Sequence, residues 1–379
     1  MPWKEATTMS QRTEFIQQVK EGSCKFCELC RRYEISRNTG YKWVKRDREG
    51  GESGLTDRSR RPQHSPRRTA EGMEKKVLAV RKEHPAWGGR KIRRVLQDQG
   101  QGEVPSASTI TMILRRYDQL DLQESQKHKP MQRFERAQPN ELWQMDFKGH
   151  FPLEEGGRCH PLTVIDDHSR FLVGLKACPD ETGETVKAQL TEIFRLYGLP
   201  ERILMDNGSP WGFDAEARHT QLTAWLIQLG IAISHGRPYH PQTQGKDERL
   251  NRSLLAEVIR QHTFSDLQQS QVIFDEWQRV YNYIRPHEAL QLNTPSTCYT
   301  PSPRPFPDVL PPVIYPEDNI LRKVDIVGKI YFHGRALRIS AAFRHQYVAL
   351  RPTEQADVYN VFFCSQKVAQ INLREDNQP

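Results

Sequence analysis

The chain has 379 residues, more than one compact core accommodates, and its 36% hydrophobic and 27% charged residues match an ordinary soluble protein. No run of about 18 apolar residues is present to span a bilayer, and the opening MPWKEATTMS lacks the apolar centre of a secretory signal. Seven scattered cysteines read as reduced thiols, so a cytoplasmic protein is expected. The net charge of +8 is uneven: residues 1–140 hold 30 Lys and Arg against 18 acids, and the remainder holds 25 against 29. Positive charge gathered in the first third calls for a polyanionic partner, and DNA is the first candidate.

In chain order, residues 10–56 predict a first helix-turn-helix domain. Helical periodicity covers 11–21 and 25–34, and Ser36 then caps a helix running from Arg37 to Arg48. Tyr41 and Val44 should pack inward, leaving Arg37, Lys42, Lys45 and Arg46 to face DNA. Cys24, Cys27 and Cys30 form C-x-x-C-x-x-C without a fourth ligand, so they read as small side chains buried with Phe26 and Leu29 rather than as a zinc site. Residues 57–69 form a basic linker whose Arg58, Arg60 and Arg61 could meet phosphates. A second helix-turn-helix is expected over 70–117, with Ser106 or Ser108 capping a helix that ends in Arg115 and Arg116. Residues 118–137 read as a polar linker.

At Glu141 the texture changes. Strand-like stretches at 141–148, 161–165, 171–177 and 202–206, with a helical stripe of Val186, Leu190, Ile193 and Phe194, predict an α/β domain with a mixed sheet over 138–299. A Pro-rich linker over 300–319 leads into 320–379. There, six short runs rich in β-branched and aromatic residues (321–326, 329–333, 335–339, 346–351, 357–363 and 367–373) predict a small all-β barrel.

The chemistry is expected in the middle domain. Asp146 ends the apolar strand Trp143-Gln144-Met145, and Asp206 ends Ile203-Leu204-Met205. Both stand at strand carboxyl ends, where open α/β sheets place their sites. A third acid must come from Asp247 or Glu248, at the start of a helix with Leu250, Leu254, Leu255, Val258 and Ile259 on its apolar face. Asp247 falls near the middle of that face and Glu248 at its edge, so Glu248 is the one able to reach a polar cleft. Three such carboxylates repel one another without counterions. Two Mg²⁺ (or Mn²⁺) ions per site would relieve that repulsion and drive phosphoryl displacement. His240, Lys246, Arg249 and Arg252 flank Glu248 and are expected to meet the DNA backbone.

These residues carry a resemblance. Trp143-x-x-Asp146, then Asp206-Asn207-Gly208, then Tyr239-x-Pro-Gln-x-Gln-Gly-x-x-Glu248 resembles the catalytic core shared by retroviral integrases and bacterial insertion-sequence DDE transposases. Asp166-Asp167-His168-Ser169-Arg170 matches the family's texture and reads as a turn between strands. Tyr281-Asn282, Arg285-Pro286-His287 and Thr294-Pro295 resemble the tail that follows this core in insertion-sequence transposases. The 41 residues between Asp206 and Glu248 exceed the family's usual spacing, which places extra residues within Ser209–Asp214.

The resemblance implies an RNase H-like fold and a bacterial, DNA-associated enzyme. It would bind the terminal inverted repeats of an element, cleave the 3′ strands and join the 3′-OH ends to target DNA. Its partners would be double-stranded DNA and at least one further copy of itself, with no membrane and no small-molecule substrate. Two rival readings are a non-catalytic DNA-binding repressor and an RNase H-like nuclease without strand transfer.

Overall fold

The computed structural model describes residues 7–22, 24–57, 68–120, 136–206, 208–212, 219–236 and 245–374. The chain divides into two compact units, Met1–Arg68 and Thr69–Pro379. None of its described helices is long and apolar enough to cross a membrane.

The first unit is a three-helix cluster. Helix α1 (Thr8–Glu21) starts where the Thr7 hydroxyl accepts a hydrogen bond from Ser10 N and ends at Gly22, whose φ of 66° suits glycine. Helix α2 (Phe26–Arg32) leads through a tight turn to α3 (Arg37–Gly50), whose cap Ser36 accepts from Thr39 N. Phe15, Ile16, Leu29, Cys30, Trp43 and Leu55 fill the interior. Gly40 lets α3 approach closely: a Cβ there would stand 2.8 Å from Cys30 Sγ and 3.0 Å from the Phe26 ring.

Tyr41, expected inside, is 60% exposed and stacks on Phe26 at 4.4 Å. Trp43 is the residue that points inward. At 100° per residue, Gly40 and Trp43 share the buried stripe, while Tyr41 is rotated off it. Of the three cysteines, Cys30 is buried, Cys27 half-buried and Cys24 exposed.

The second unit begins with α4 (Glu71–Glu83), α5 (Gly89–Asp98) and α6 (Ala107–Arg116), the last capped by Ser106. They enclose Val77, Trp87, Ile92, Leu96, Ile110 and Ile113, against which Val280 and Ile284 also pack. Arg116 pairs with the buried Glu74 at 2.5 Å.

A six-stranded mixed sheet follows: β1 (Trp143–Phe147), β2 (Phe151–Pro152), β3 (Arg158–Asp166), β4 (Leu172–Cys178), β5 (Arg202–Met205) and β6 (Ala232–His235). The order is β2-β3-β1-β5-β6, with β4 also paired to β3. β3 pairs antiparallel with both β1 and β4, whereas β1, β5 and β6 run parallel. Helix α7 (Gly183–Tyr197) presents Val186, Leu190, Ile193 and Phe194 to the sheet, and α8 (Gln221–Gln228) lies beyond. On the other face pack α9 (Gly245–Leu254), continued by one π-turn, and α10 (Leu267–Tyr283). Their Leu250, Leu254, Val258, Phe274, Trp277 and Tyr281 join Ile165, Leu172 and Leu175.

The C-terminal region is all-β. Strands β7 (Ile320–Lys323), β10 (Tyr347–Pro352), β11 (Val358–Phe363) and β12 (Gln366–Asn372) form one four-stranded sheet, and β8 (Lys329–Phe332) pairs only with β9 (Arg335–Arg338). The expected barrel does not close, and both sheets are open. The physical reason is a neighbour. Val324, Ile330, Phe343, Val361 and Phe363 are buried in one continuous core with Leu222, Trp225 and Leu226 of α8. A sheet whose apolar face is covered by the preceding domain has no need to curl onto itself.

Candidate active site

β1 and β5 bring two acids together. Their parallel register pairs Trp143 with Ile203 and Gln144 with Leu204. Two residues further along, the same register sets Asp146 beside Asp206. Asp146 is largely buried, and its carboxyl is raised to about 6, first by burial and then by the Asp206 charge. Asn251 Nδ2 donates to Asp146 Oδ2 at 3.1 Å and works in the opposite direction, favouring the ionised form. Asp206 is held by the Gly208 N–H at Oδ1 (2.9 Å), and His235 Nδ1 lies 2.8 Å from its carbonyl oxygen.

Helix α9 crosses this pair. Asn251 faces Asp146, so the stripe of α9 over the site is fixed by that contact. Asp247 is about 40° to one side of Asn251 around the helix and Glu248 about 60° to the other. Asp247 is 2% exposed, and neither of its oxygens has a hydrogen-bond partner among the described residues. Burial first, then the charges of Asp146 and Asp167, push its carboxyl well above the usual range. Glu248 is exposed and pairs with Arg252 one turn on, at 2.9 Å.

The expected DNA-facing residues sort into three groups. Arg37, Lys42, Lys45, Arg115, Arg249 and Arg252 are exposed. Arg46 lies over Trp43 at 4.9 Å, Arg116 is tied to Glu74, and Lys246 turns inward to Asp167 at 2.5 Å. Arg58, Arg60, Arg61 and His240 lie outside the described residues.

Nothing in the sequence signalled the contacts of Asn251 with Asp146, of His235 with the Asp206 carbonyl, or of Lys246 with the buried Asp167. An amide on a helix gives no signal of its own, although the three-residue spacing from Glu248 to Asn251 places both near one face. Of the residues after Asp206, 208–212 are described, and there Trp211 is 2% exposed and stacks on Phe147 at 5.8 Å. The Tyr281–His287 segment is scaffolding. Asn282 bonds both backbone groups of Leu172, and Arg285 pairs with Glu257 at 2.8 Å.

Two crowded carboxylates with hard oxygen donors fit a magnesium ion, since a divalent cation relieves the repulsion between them. Among the described residues no three His, Cys, Asp or Glu side chains converge as a ready-made cluster.

The mixed sheet, with acids on two adjacent parallel strands and a helix across them, lies in the part of the chain that matches integrase core domains. The integrase core domain family matches residues 136–241, and a second family of the same description matches 229–295. A helix-turn-helix domain matches 11–63, a homeodomain-like domain 39–114, and the C-terminal domain of IS481 family transposases 319–379. The chain is 26% identical over 231 residues to an insertion element IS476 protein of Xanthomonas euvesicatoria, covering 59% of this chain and 63% of that one. It is 28% identical over 158 residues to an insertion element IS407 protein of Burkholderia multivorans, covering 42% and 54%. The matched region thus spans little more than half the length of these relatives. The HTLV-2 integrase catalytic core, solved in complex with magnesium, is 16% identical, with a TM-score of 0.33 over 43% of this chain and 99% of that one. The chain thus joins helix-turn-helix matches, an integrase core domain and an IS481-type transposase C-terminal domain, and it is similar to insertion-element proteins of bacteria.

Proposed function

We propose that the chain is a DDE transposase that binds the terminal inverted repeats of an insertion sequence, cleaves the 3′ strands and joins the freed 3′-OH ends to target DNA. The observation that carries this reading is the register placing Asp146 beside Asp206 under α9. Asp146, Asp206 and Glu248 would hold two Mg²⁺ or Mn²⁺ ions, which supply charge neutralisation and an activated water or hydroxyl. Asn251 aims the Asp146 carboxylate by donating to it and partly offsets the burial that disfavours its ionised form. Glu248, being exposed, can meet a phosphate arriving from solvent, whereas the buried Asp247 cannot. Arg249 and Arg252 would then contact the DNA backbone, and Arg252 would exchange its bond to Glu248 for a phosphate. The helices of 10–56 and 70–117 would hold the ends, and two ends held at once call for at least a dimer.

The test is cleavage and joining of duplexes carrying the element's ends, with Mg²⁺. Asp146→Asn, Asp206→Asn and Glu248→Gln should each abolish both steps while leaving end binding intact, because each removes a charge and keeps the shape. Absence of cleavage by the wild type under Mg²⁺ would leave a DNA-binding repressor. Cleavage without joining would leave a nuclease. Because Asp247 also flanks Asp146, a second reading makes it the third acid; loss of chemistry in Asp247→Asn with retention in Glu248→Gln would select it.

A further inference from the structure

Beside the acids lies a buried ionic cluster to which the proposed chemistry gives no task. Asp167, at the turn between β3 and β4, is fully buried. It accepts from Gln144 Nε2 at 2.7 Å and from Arg136 N at 2.9 Å, and pairs with Lys246 Nζ at 2.5 Å; Lys246 also donates to the Asp167 carbonyl at 3.0 Å. Gln144 stands two residues before Asp146 on β1, and Lys246 two residues before Glu248 on α9. The turn itself is rigid. Asp166 accepts from Asn140 N (2.7 Å), Ser169 N (2.8 Å) and Ser169 Oγ (2.6 Å), and the Arg170 guanidinium donates to the Asp167 carbonyl.

We propose that Asp167 and Lys246 form a positioning clamp: the buried pair seats the first turn of α9 against β1 and so fixes where Glu248 stands relative to Asp146. The clamp rests on reading Glu248 as a site acid. Its necessity comes from Asp247. That carboxyl is 2% exposed and has no hydrogen-bond partner among the described residues, a placement that favours swinging the first turn outward into water. Lys246, the residue before it, ties that turn down through its pair with Asp167. From Leu250 onward α9 is held by apolar packing through Leu250, Leu254 and Val258. Loss of the clamp therefore frees the first turn and leaves the rest of the helix docked. Removing one partner of a buried pair strands the other charge, so either substitution should act.

The experiment uses the full chain without DNA. Metal-free Asp167→Asn, Lys246→Met, Lys246→Arg and the Asp167→Asn/Lys246→Met double variant are followed by amide hydrogen exchange, and Mn²⁺ alone is titrated by electron paramagnetic resonance. Each single loss should speed exchange at 248–251, whose amides bond to first-turn carbonyls, by about tenfold, with β3, β4 and 254–258 unchanged. Each should also raise the Mn²⁺ half-saturation several-fold. The double variant should be no worse than either single one, because both remove one interaction, and Lys246→Arg should retain most protection. Unchanged exchange at 248–251 in both single variants, additive losses in the double, or loss of protection throughout β3 and β4 would each overturn the clamp. A wild type that binds no Mn²⁺ would instead sink the metal reading, while the exchange arm still decides the clamp.

Discussion

Asp247 and Glu248 are neighbours in sequence and opposites in surroundings, one sealed under α9 and the other in solvent beside Arg252. Asp247→Asn should therefore leave Mg²⁺-dependent cleavage within about threefold of wild type, whereas Glu248→Gln should remove it. Asp146 offers a stability test in the metal-free chain. Its folded pKa of about 6 lies above the ordinary carboxylate value. The protonated form is thus the one the fold favours, and this contribution is complete below about pH 4 and lost as pH rises through 6. Asp146→Asn stays neutral throughout, so its melting temperature should gain on that of wild type between pH 4 and 7. Parallel curves by calorimetry would show that Asp146 does not bear this load. The helical stripe of Leu250, Leu254 and Val258 made the difference between Asp247 and Glu248 legible in sequence. Lys246 was not legible, because a basic residue near expected DNA reads as outward-facing until its buried partner, 79 positions earlier, is known.

At the scale of elements, the docking of α5 on the catalytic core carries its own charge problem. Lys91 sits near Arg285, Glu257, Arg249 and Glu288, and near the half-buried His287. Burial, then the Arg285 charge, lowers its ammonium to about 7. For a base, a folded pKa below the unfolded one means full stability only above about 10.5, declining as pH falls towards 7. Lys91→Met should therefore raise the melting temperature of the second unit at pH 7, and the gain should shrink towards pH 10. A gain independent of pH would mean that packing alone is responsible. Most elements were legible because their periodicity is clean: the six C-terminal strands fall close to the predicted runs. Helix α8 and β6 were not. Residues 222–227 are all buried, since α8 lies between the catalytic core and the C-terminal sheet. A helix covered on all sides has no amphipathic period to read. Closure of the barrel failed for the same reason, since nothing in a local strand pattern reveals which face a neighbouring domain will cover.

For the whole molecule, the consequence is that the two helical DNA-reading regions differ in independence. Residues 1–68 form a compact unit with a core of their own, Phe15, Ile16, Leu29, Cys30, Trp43 and Leu55. The α4–α6 cluster has a core too, but Val280 of α10 and Ile284 at its C-terminal cap cover part of it, and Arg90 reaches Glu288 at 3.7 Å. Cutting the chain after residue 68 severs no interface within the second unit, whereas cutting after 117 strips that cover and exposes apolar surface. A fragment of residues 1–68 should therefore unfold in a single cooperative transition. A fragment of residues 69–117 should melt well below the intact second unit. The exposed Arg37, Lys42 and Lys45 give the first fragment a basic face on α3. Its affinity for duplex DNA should then fall with salt, with a log–log slope of roughly −0.9 for each phosphate contacted. Arg37→Ala, Lys42→Ala and Lys45→Ala together should flatten that slope by two to three such contacts, to the extent that each arm meets a phosphate, and should leave the melting temperature unchanged because none of the three is buried. Binding titrations from about 50 to 200 mM salt decide it: a slope that stays steep after all three are removed would move the DNA-contacting surface off α3.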